Sequence, residues 1–193
     1  MKRQIRNSVF ETNSSSTHSI AIPKNGGNTP NYISFHTDEF GWGFGEADVA
    51  DYFYTAIYET SNSGEEIDEK IKKLKHILNE HGIEYHFQKP KSHIWHDNYK
   101  NKDYISLDDG YIDHGFELKE FVDELLNDGD KLVRFLSNGL VFTGNDNSDN
   151  EGFINRNEEF IEDYDWRTKT TTKYKNPYYM SNHEDYEWHF KWN

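Results

Sequence analysis

The chain has no cysteine among its 193 residues. Disulfides and thiolate metal sites are therefore excluded, and the composition suits a reducing compartment. Long apolar runs are missing too. Nowhere do roughly 18 apolar residues follow one another, so no membrane-spanning helix is expected. Met1 to Ile5 carries basic residues with no apolar run behind them, and no secretory leader is expected. Cations are scarce: Lys and Arg number 21 against 35 Asp and Glu, a net charge of −14. Such a surface repels nucleic-acid backbones and anionic lipids, so neither direct nucleic-acid binding nor membrane binding is expected. It attracts basic protein surfaces, including those that normally hold DNA. Plain solubility is the simpler use of the same charge.

Aromatic residues are abundant, with 13 Phe, 13 Tyr and 5 Trp. Each buries a large area, so a core is feasible although only 34% of the chain is hydrophobic. The length fits a single α+β domain over residues 1–193, with residues 146–193 able to form a small appendage. Charge is unevenly placed. Residues 103–130 carry ten acids against Lys119, and residues 146–165 carry eight against Arg156. Residues 1–24 instead carry Lys2, Arg3, Arg6 and Lys24 against Glu11.

Periodicity predicts about three helices among short, mostly antiparallel strands. Strands are expected at Ser19 to Ile22 and Tyr32 to Phe35, with a Gly/Asn/Pro loop from Lys24 to Pro30. A helix over 46–60 places Val49, Phe53, Ala56 and Ile57 on one face, with Tyr52, Tyr54 and Tyr58 on others. The next, over 64–81, opens on a capping-box pattern, Ser63 with Glu66, and closes at Gly82. Its stripe is Ile67, Ile71, Leu74 and Leu78. Ile83 to Phe87 alternates like a strand, and residues 89–102 read as irregular. Asp109-Gly110 predicts a hairpin over 104–114. A third helix over 117–128 carries Leu118, Phe121, Val122, Leu125 and Leu126, and ends at Gly129. Asn138-Gly139 signals another hairpin, although residues 131–136 also suit a helix. Tyr186, Trp188, Phe190 and Trp192 alternate as a closing strand.

Several constellations resemble chemical sites. Ser16 or Thr17 beside His18 resembles a nucleophile with its base. Adjacent strand residues point to opposite faces, however, and such hydroxyls commonly satisfy backbone groups. Residues 147–158 approach a calcium loop, with Asn147 where Asp is expected; a solvated acidic turn is the simpler reading. His93 and His96 share no predicted helix and have no second pair, so no metal site is expected. Phe40 to Gly45 alternates with glycine but lacks the Lys-Ser/Thr of a phosphate loop; a tight aromatic bend is expected instead. No cofactor and no catalytic residue follow from these patterns.

Arg6-Asn7-Ser8-Val9-Phe10, followed by Glu11-Thr12-Asn13-Ser14-Ser15-Ser16-Thr17-His18-Ser19, resembles the opening of a widespread group of phage and phage-derived bacterial proteins. Phe40-Gly41-Trp42 and Thr143-Gly144-Asn145-Asp146-Asn147 match that group too. In size and acidity the chain is similar to a staphylococcal phage protein that binds the host primary sigma factor and inhibits host transcription. The resemblance implies a non-enzymatic host-takeover protein in the host bacterial cytoplasm. Its implied partner is a host protein with a basic surface, the sigma factor of RNA polymerase, which holds promoter DNA through a basic helix-turn-helix. An enzyme with its site in residues 11–19, a transferase or hydrolase, is the first alternative. A DNA mimic that occupies a host defence protein is the second.

The partner surface is expected on the charged face of the third helix, Glu117, Glu120, Asp123 and Glu124. These lie opposite an apolar stripe that must face the core. Four like charges on one face should repel, so Gln replacements are expected to hold or raise stability while weakening binding. Asp48, Asp51 and Tyr52 are the second expected patch.

Overall fold

The computed structural model describes residues 16–41, 43–98, 102–145, 151–165 and 167–191. It is α+β, as the periodicity predicts. The first half contains β1 (Ser16–Pro23), β2 (Tyr32–Phe35), β3 (Glu39–Phe40), β4 (Gly45–Ala47), α1 (Val49–Glu59), α2 (Gly64–Glu80), β5 (Glu84–Phe87) and β6 (Ser92–Asp97). Next come β7 (Lys102–Leu107), β8 (Tyr111–Ile112), a 3-10 turn (Gly115–Leu118), α3 (Lys119–Asn127), α4 (Gly129–Asn138) and β9 (Leu140–Asn145). The last part holds α5 (Glu151–Ile154), β10 (Phe160–Asp165), β11 (Thr170–Lys175) and β12 (Tyr186–Lys191).

The largest sheet is antiparallel, in the order β12-β1-β9-β4. Its register sets Lys191, His18, Thr143 and Gly45 in one row across all four strands. β1 is central, and six of its eight residues are buried, Ser16, His18 and Ser19 among them. Two short pairs, β2 with β5 and β3 with β8, are parallel, and the other strand pairings among the described residues are antiparallel, so the strands are mostly antiparallel as expected. α1 is buried on every side: Ala50, Tyr52, Phe53, Tyr54, Thr55, Ala56 and Ile57 all lack exposure. A helix of that kind is the centre of a core rather than its cover. Phe53 and Phe121 each meet Phe135 edge to face, which joins α1, α3 and α4.

α2 follows its local signals closely. Ser63 Oγ accepts from the Glu66 amide at 3.2 Å. The reciprocal bond is shifted by one residue, for Glu66 Oε2 accepts from the Asn62 amide at 2.8 Å. Gly82 takes φ +67°, and the Ile83 amide reaches back to the Leu78 carbonyl.

Three predicted turns are not turns of that kind. Asp109-Gly110 does not close a hairpin: β7 pairs with β6 from the segment read as irregular, and β8 pairs with β3. The Asp109 carboxylate instead accepts from the Lys91 amide and the Thr37 hydroxyl. Gly129 begins a helix rather than ending one, because Asp128 caps α4 by accepting from the Lys131 amide. Asn138-Gly139 ends that helix, so the helical alternative for 131–136 holds and the hairpin does not. No helix among the described residues is long and apolar enough to cross a membrane.

Candidate partner-binding face

Of the second expected patch, Tyr52 is a correction. Its side chain is fully buried, so it offers nothing to a partner surface. Its hydroxyl lies 2.7 Å from His18 Nδ1, and burial pushes the phenol well above its ordinary pKa. Asp48 is the N-cap of α1, accepting from the Ala50 and Asp51 amides. Asp51 Oδ1 accepts from the His36 amide at 2.7 Å. Burial raises its pKa, and that amide pulls it back. Both carboxylates thus have structural duties at the start of α1.

Of the four acids expected on the third helix, Glu120, Asp123 and Glu124 lie on α3 and Glu117 lies on the 3-10 turn before it; all four lie near the surface, but they are not a free repelling row. Glu117 Oε2 stands 3.7 Å from Lys191 Nζ. Glu124 Oε1 takes a 2.6 Å bond from Lys131, whose ammonium also reaches Glu187 at 2.5 Å. Asp123 pairs with Lys119 at 3.4 Å and with Lys70 at 3.7 Å. Lys70, Lys131 and Lys191 are all buried. Three of the four carboxylates are therefore counter-ions of buried ammonium groups, so neutralising them is expected to cost stability rather than to hold or raise it. Partial burial pulls the Lys131 pKa down, but Glu124 and Glu187 outweigh it and hold it above the ordinary value. Lys191 goes the other way, since burial outweighs its pairing. Glu120 is exposed and makes no ion pair among the described residues.

A cleft of about 490 Å³ lies between this face and β12. Glu117, Glu120 and Glu124 line one side, and Phe121, Trp188 and Phe190 also line it. The acid half of this lining was legible from the helical spacing. The β12 half was not, because only the fold brings the C-terminal strand beside α3.

The Ser16 to Ser19 segment forms the buried end of β1. Ser16 Oγ donates to the Asp113 carbonyl at 3.0 Å, and Lys191 Nζ donates to Ser16 O and Oγ at 3.1 Å each. Burial, and then Lys191, lowers the His18 pKa to about 3. Its imidazole is neutral, tied to Tyr52 rather than to a serine. Ser16 and His18 thus do not form a nucleophile–base pair among the described residues. His18 Nε2 and Ser19 Oγ are buried without hydrogen-bond partners among the described residues. Gly41, at φ +102°, covers this corner. A Cβ there would lie 3.0 Å from Ser16 Cβ and 3.2 Å from His18 Nε2. The ring of Phe44 leaves no room for a side chain at Gly144. Three separate pieces of the phage-type resemblance, Ser16–Ser19, Gly41 and Thr143-Gly144, therefore meet at one packed corner. Residues 6–15, 42, 146 and 147 of those pieces lie outside the described residues.

The remaining patterns have structural uses. Residues 151–154 of the calcium-like loop form α5, while Asn147 and Asp149 lie outside the described residues. The Phe153 carbonyl, a cation ligand at that loop position, accepts from Arg156 Nε at 3.1 Å. Asn176 Nδ2 donates to the carbonyls of Gly152, Asn155 and Glu158. The segment is a partly buried, hydrogen-bonded turn rather than the solvated one expected. His93 and His96 sit on a strand, where residues three apart face opposite ways, and His93 binds Asp108 at 2.8 Å. Among the described residues no group of three or more candidate ligands is placed to hold a metal.

Periodicity gave no warning of two exposed hairpins. β6 and β7 present Ile94 at 72% and Trp95 at 54% exposure. In β10 and β11 only Ile161 is buried, while Phe160, Tyr164 and Tyr174 stay exposed. The chain matches no protein-family model, no curated protein and no solved structure.

Proposed function

We propose that this protein acts by binding a host protein with a basic surface, and that the partner is the primary sigma factor of bacterial RNA polymerase, so that host transcription is inhibited or redirected. One observation carries the binding function: the β10–β11 hairpin leaves eleven of its twelve side chains exposed, three large aromatics among them. A two-stranded hairpin is marginal on its own in water. Exposed aromatic surface of this kind is what a partner covers, with the rings as desolvated anchors. The net charge of −14 gives the sign of that partner. Carboxylates steer it in and orient it, and aromatics hold it. The sigma factor as the particular partner rests on the likeness in size and acidity to a staphylococcal phage protein that binds it, and on the basic DNA-binding helices of sigma factors.

Titration calorimetry with the purified host primary sigma factor tests this reading. We expect saturable binding at about 50 mM salt that weakens steeply by about 300 mM, where exposed charges are screened. An absence of heat at low salt rejects the sigma factor. Affinity indifferent to salt rejects electrostatic recognition.

A further inference from the structure

We propose that the outer edge of β12 takes an extended segment of the basic partner as a fifth, antiparallel strand of the main sheet. This rests on the binding function above and adds the mode of binding. The Lys24 amide donates to the Asp185 carbonyl at 2.9 Å, and the same register pairs Pro23 with Tyr186, Ile22 with Glu187 and Ala21 with Trp188. Bonded pairs recur at every second residue of an antiparallel ladder. Glu187 and His189 therefore turn their backbone groups to β1, and Tyr186, Trp188 and Phe190 turn theirs outward. Pro23, with no N–H to give, stands opposite Tyr186, in keeping with this phase. Among the described residues no strand pairs with that side of β12. Sheet edges are commonly blunted by shortness, proline or an outward lysine. The opposite edge of the sheet, β4, is only three residues long. β12 has six residues and no proline, and its one lysine is buried.

The surroundings of this edge select the occupant. Glu187, His189 and Lys191 face the helices: Glu187 pairs with Lys131, the His189 ring meets Phe121 at 5.3 Å, and Lys191 faces Glu117 at 3.7 Å. Trp188 and Phe190 alternate to the other face of the sheet, where their rings lie 11° from parallel and stay partly exposed. The cleft of about 490 Å³ runs along the edge on the helix side, and its lining carries Glu117, Glu120 and Glu124 against Lys191. A strand added about 4.8 Å outside β12 sends alternate side chains into that cleft and the others beside the two rings. Cations fit the first set, and apolar groups fit the second. The occupant is thus an extended segment that alternates basic and apolar residues, held by main-chain bonds and selected by its side chains. A second copy of this chain fits poorly, because it would bring a second row of acids against the first.

Fluorescence anisotropy with a labelled heptapeptide, Lys-Val-Lys-Val-Lys-Val-Lys, tests the edge on the unaltered protein. Antiparallel addition sets the valines opposite Tyr186, Trp188 and Phe190, with their own N–H and C=O groups turned to β12. N-methylation of the three valine amides should therefore weaken binding about tenfold, and N-methylation of three lysine amides less than about twofold. The same peptide with glutamate in place of lysine should not bind. Hydrogen exchange read by NMR should show the Trp188 amide slowed by the lysine peptide, while the Glu187 amide, already bonded to β1, keeps its rate. Equal losses from the two methylation patterns, or the reverse order, would overturn the added strand. A glutamate peptide that binds as well would overturn the basic occupant. Protection of the Trp188 amide that grows with protein concentration, without peptide, assigns the edge to a second copy and overturns the proposal. Sigma-factor binding that leaves the Trp188 amide unprotected removes the edge site and leaves the function standing. Peptide addition without sigma-factor binding removes that partner and leaves the edge site.

Discussion

Glu117→Gln removes the nearest counter-ion of a buried ammonium, and the outcome separates the two views of the acidic helix. Lys191 is 6% exposed. Its Nζ donates to Ser16 O and Oγ at 3.1 Å and faces Glu117 Oε2 at 3.7 Å. Removing one partner of a fully buried pair costs about 3–5 kcal/mol. Glu117 is one-third exposed and the contact is long, so solvent screens part of it, and we expect about 1–2 kcal/mol. For a chain of this size that corresponds to a Tm lower by about 2–8 °C. The pH dependence is the sharper test. Burial holds the folded pKa of Lys191 below the ordinary 10.5, with Glu117 and then Asp113 pulling it back up. Between the folded and unfolded values the unfolded chain binds more protons, so this group makes stability rise with pH. Glu117→Gln lowers the folded pKa further. Its cost is therefore largest at low pH, shrinks as pH rises from the variant's folded Lys191 pKa toward that of the wild type, and vanishes above the latter. Urea unfolding followed by tryptophan fluorescence, at about pH 7 and about pH 10, measures the difference. A variant as stable as the wild type at neutral pH would restore the view of a self-repelling helix face. A cost identical at both pH values would show that Lys191 is not the group affected.

Gly41→Ala should destabilise the protein by about 2–4 kcal/mol, through left-handed backbone strain and crowding against Ser16 and His18. Gly26→Ala, with nothing within 4 Å of the new Cβ, should change little. Calorimetric melting that does not distinguish them would remove Gly41 from the packed corner. Proton NMR of the imidazoles should show His18 untitrated between about pH 8 and about pH 5, because burial and then Lys191 hold its pKa near 3. His81, which donates to the Ile77 carbonyl and to Asp130, should titrate above the ordinary 6.5. The signs are opposite. His18 costs stability as pH falls below about 6.5, where the unfolded chain takes up a proton that the folded chain refuses. His81 adds stability at low pH and loses it as pH rises through its folded pKa. A titration of His18 near neutrality would contradict its burial.

The sequence by itself determined the elements whose instructions are local. α2 carries its cap at Ser63, its apolar stripe and its left-handed stop at Gly82, all within one turn of where they act. β2 and β12 declare themselves by alternation. The acidic face of α3 was legible from spacing for the same reason. Tertiary structure decided what these elements meet. β1 reads as polar, yet its hydroxyls and imidazole are buried because β9 and β12 flank it and Lys191, Asp113 and Tyr52 satisfy part of its chemistry. Asp109-Gly110 had the residues of a hairpin, but β7 pairs with β6, and the Asp109 carboxylate accepts from the Lys91 backbone amide. Tyr52 lay on an expected outer face of α1 until packing closed over every side of that helix. Above all, a carboxylate carries the same letter whether or not a distant lysine reaches it. Glu117, Asp123 and Glu124 became counter-ions, and Glu120 stayed uncommitted, only when the fold brought Lys191, Lys70 and Lys131 within Coulombic range. The interaction decays over a few ångströms in space and is blind to separation along the chain.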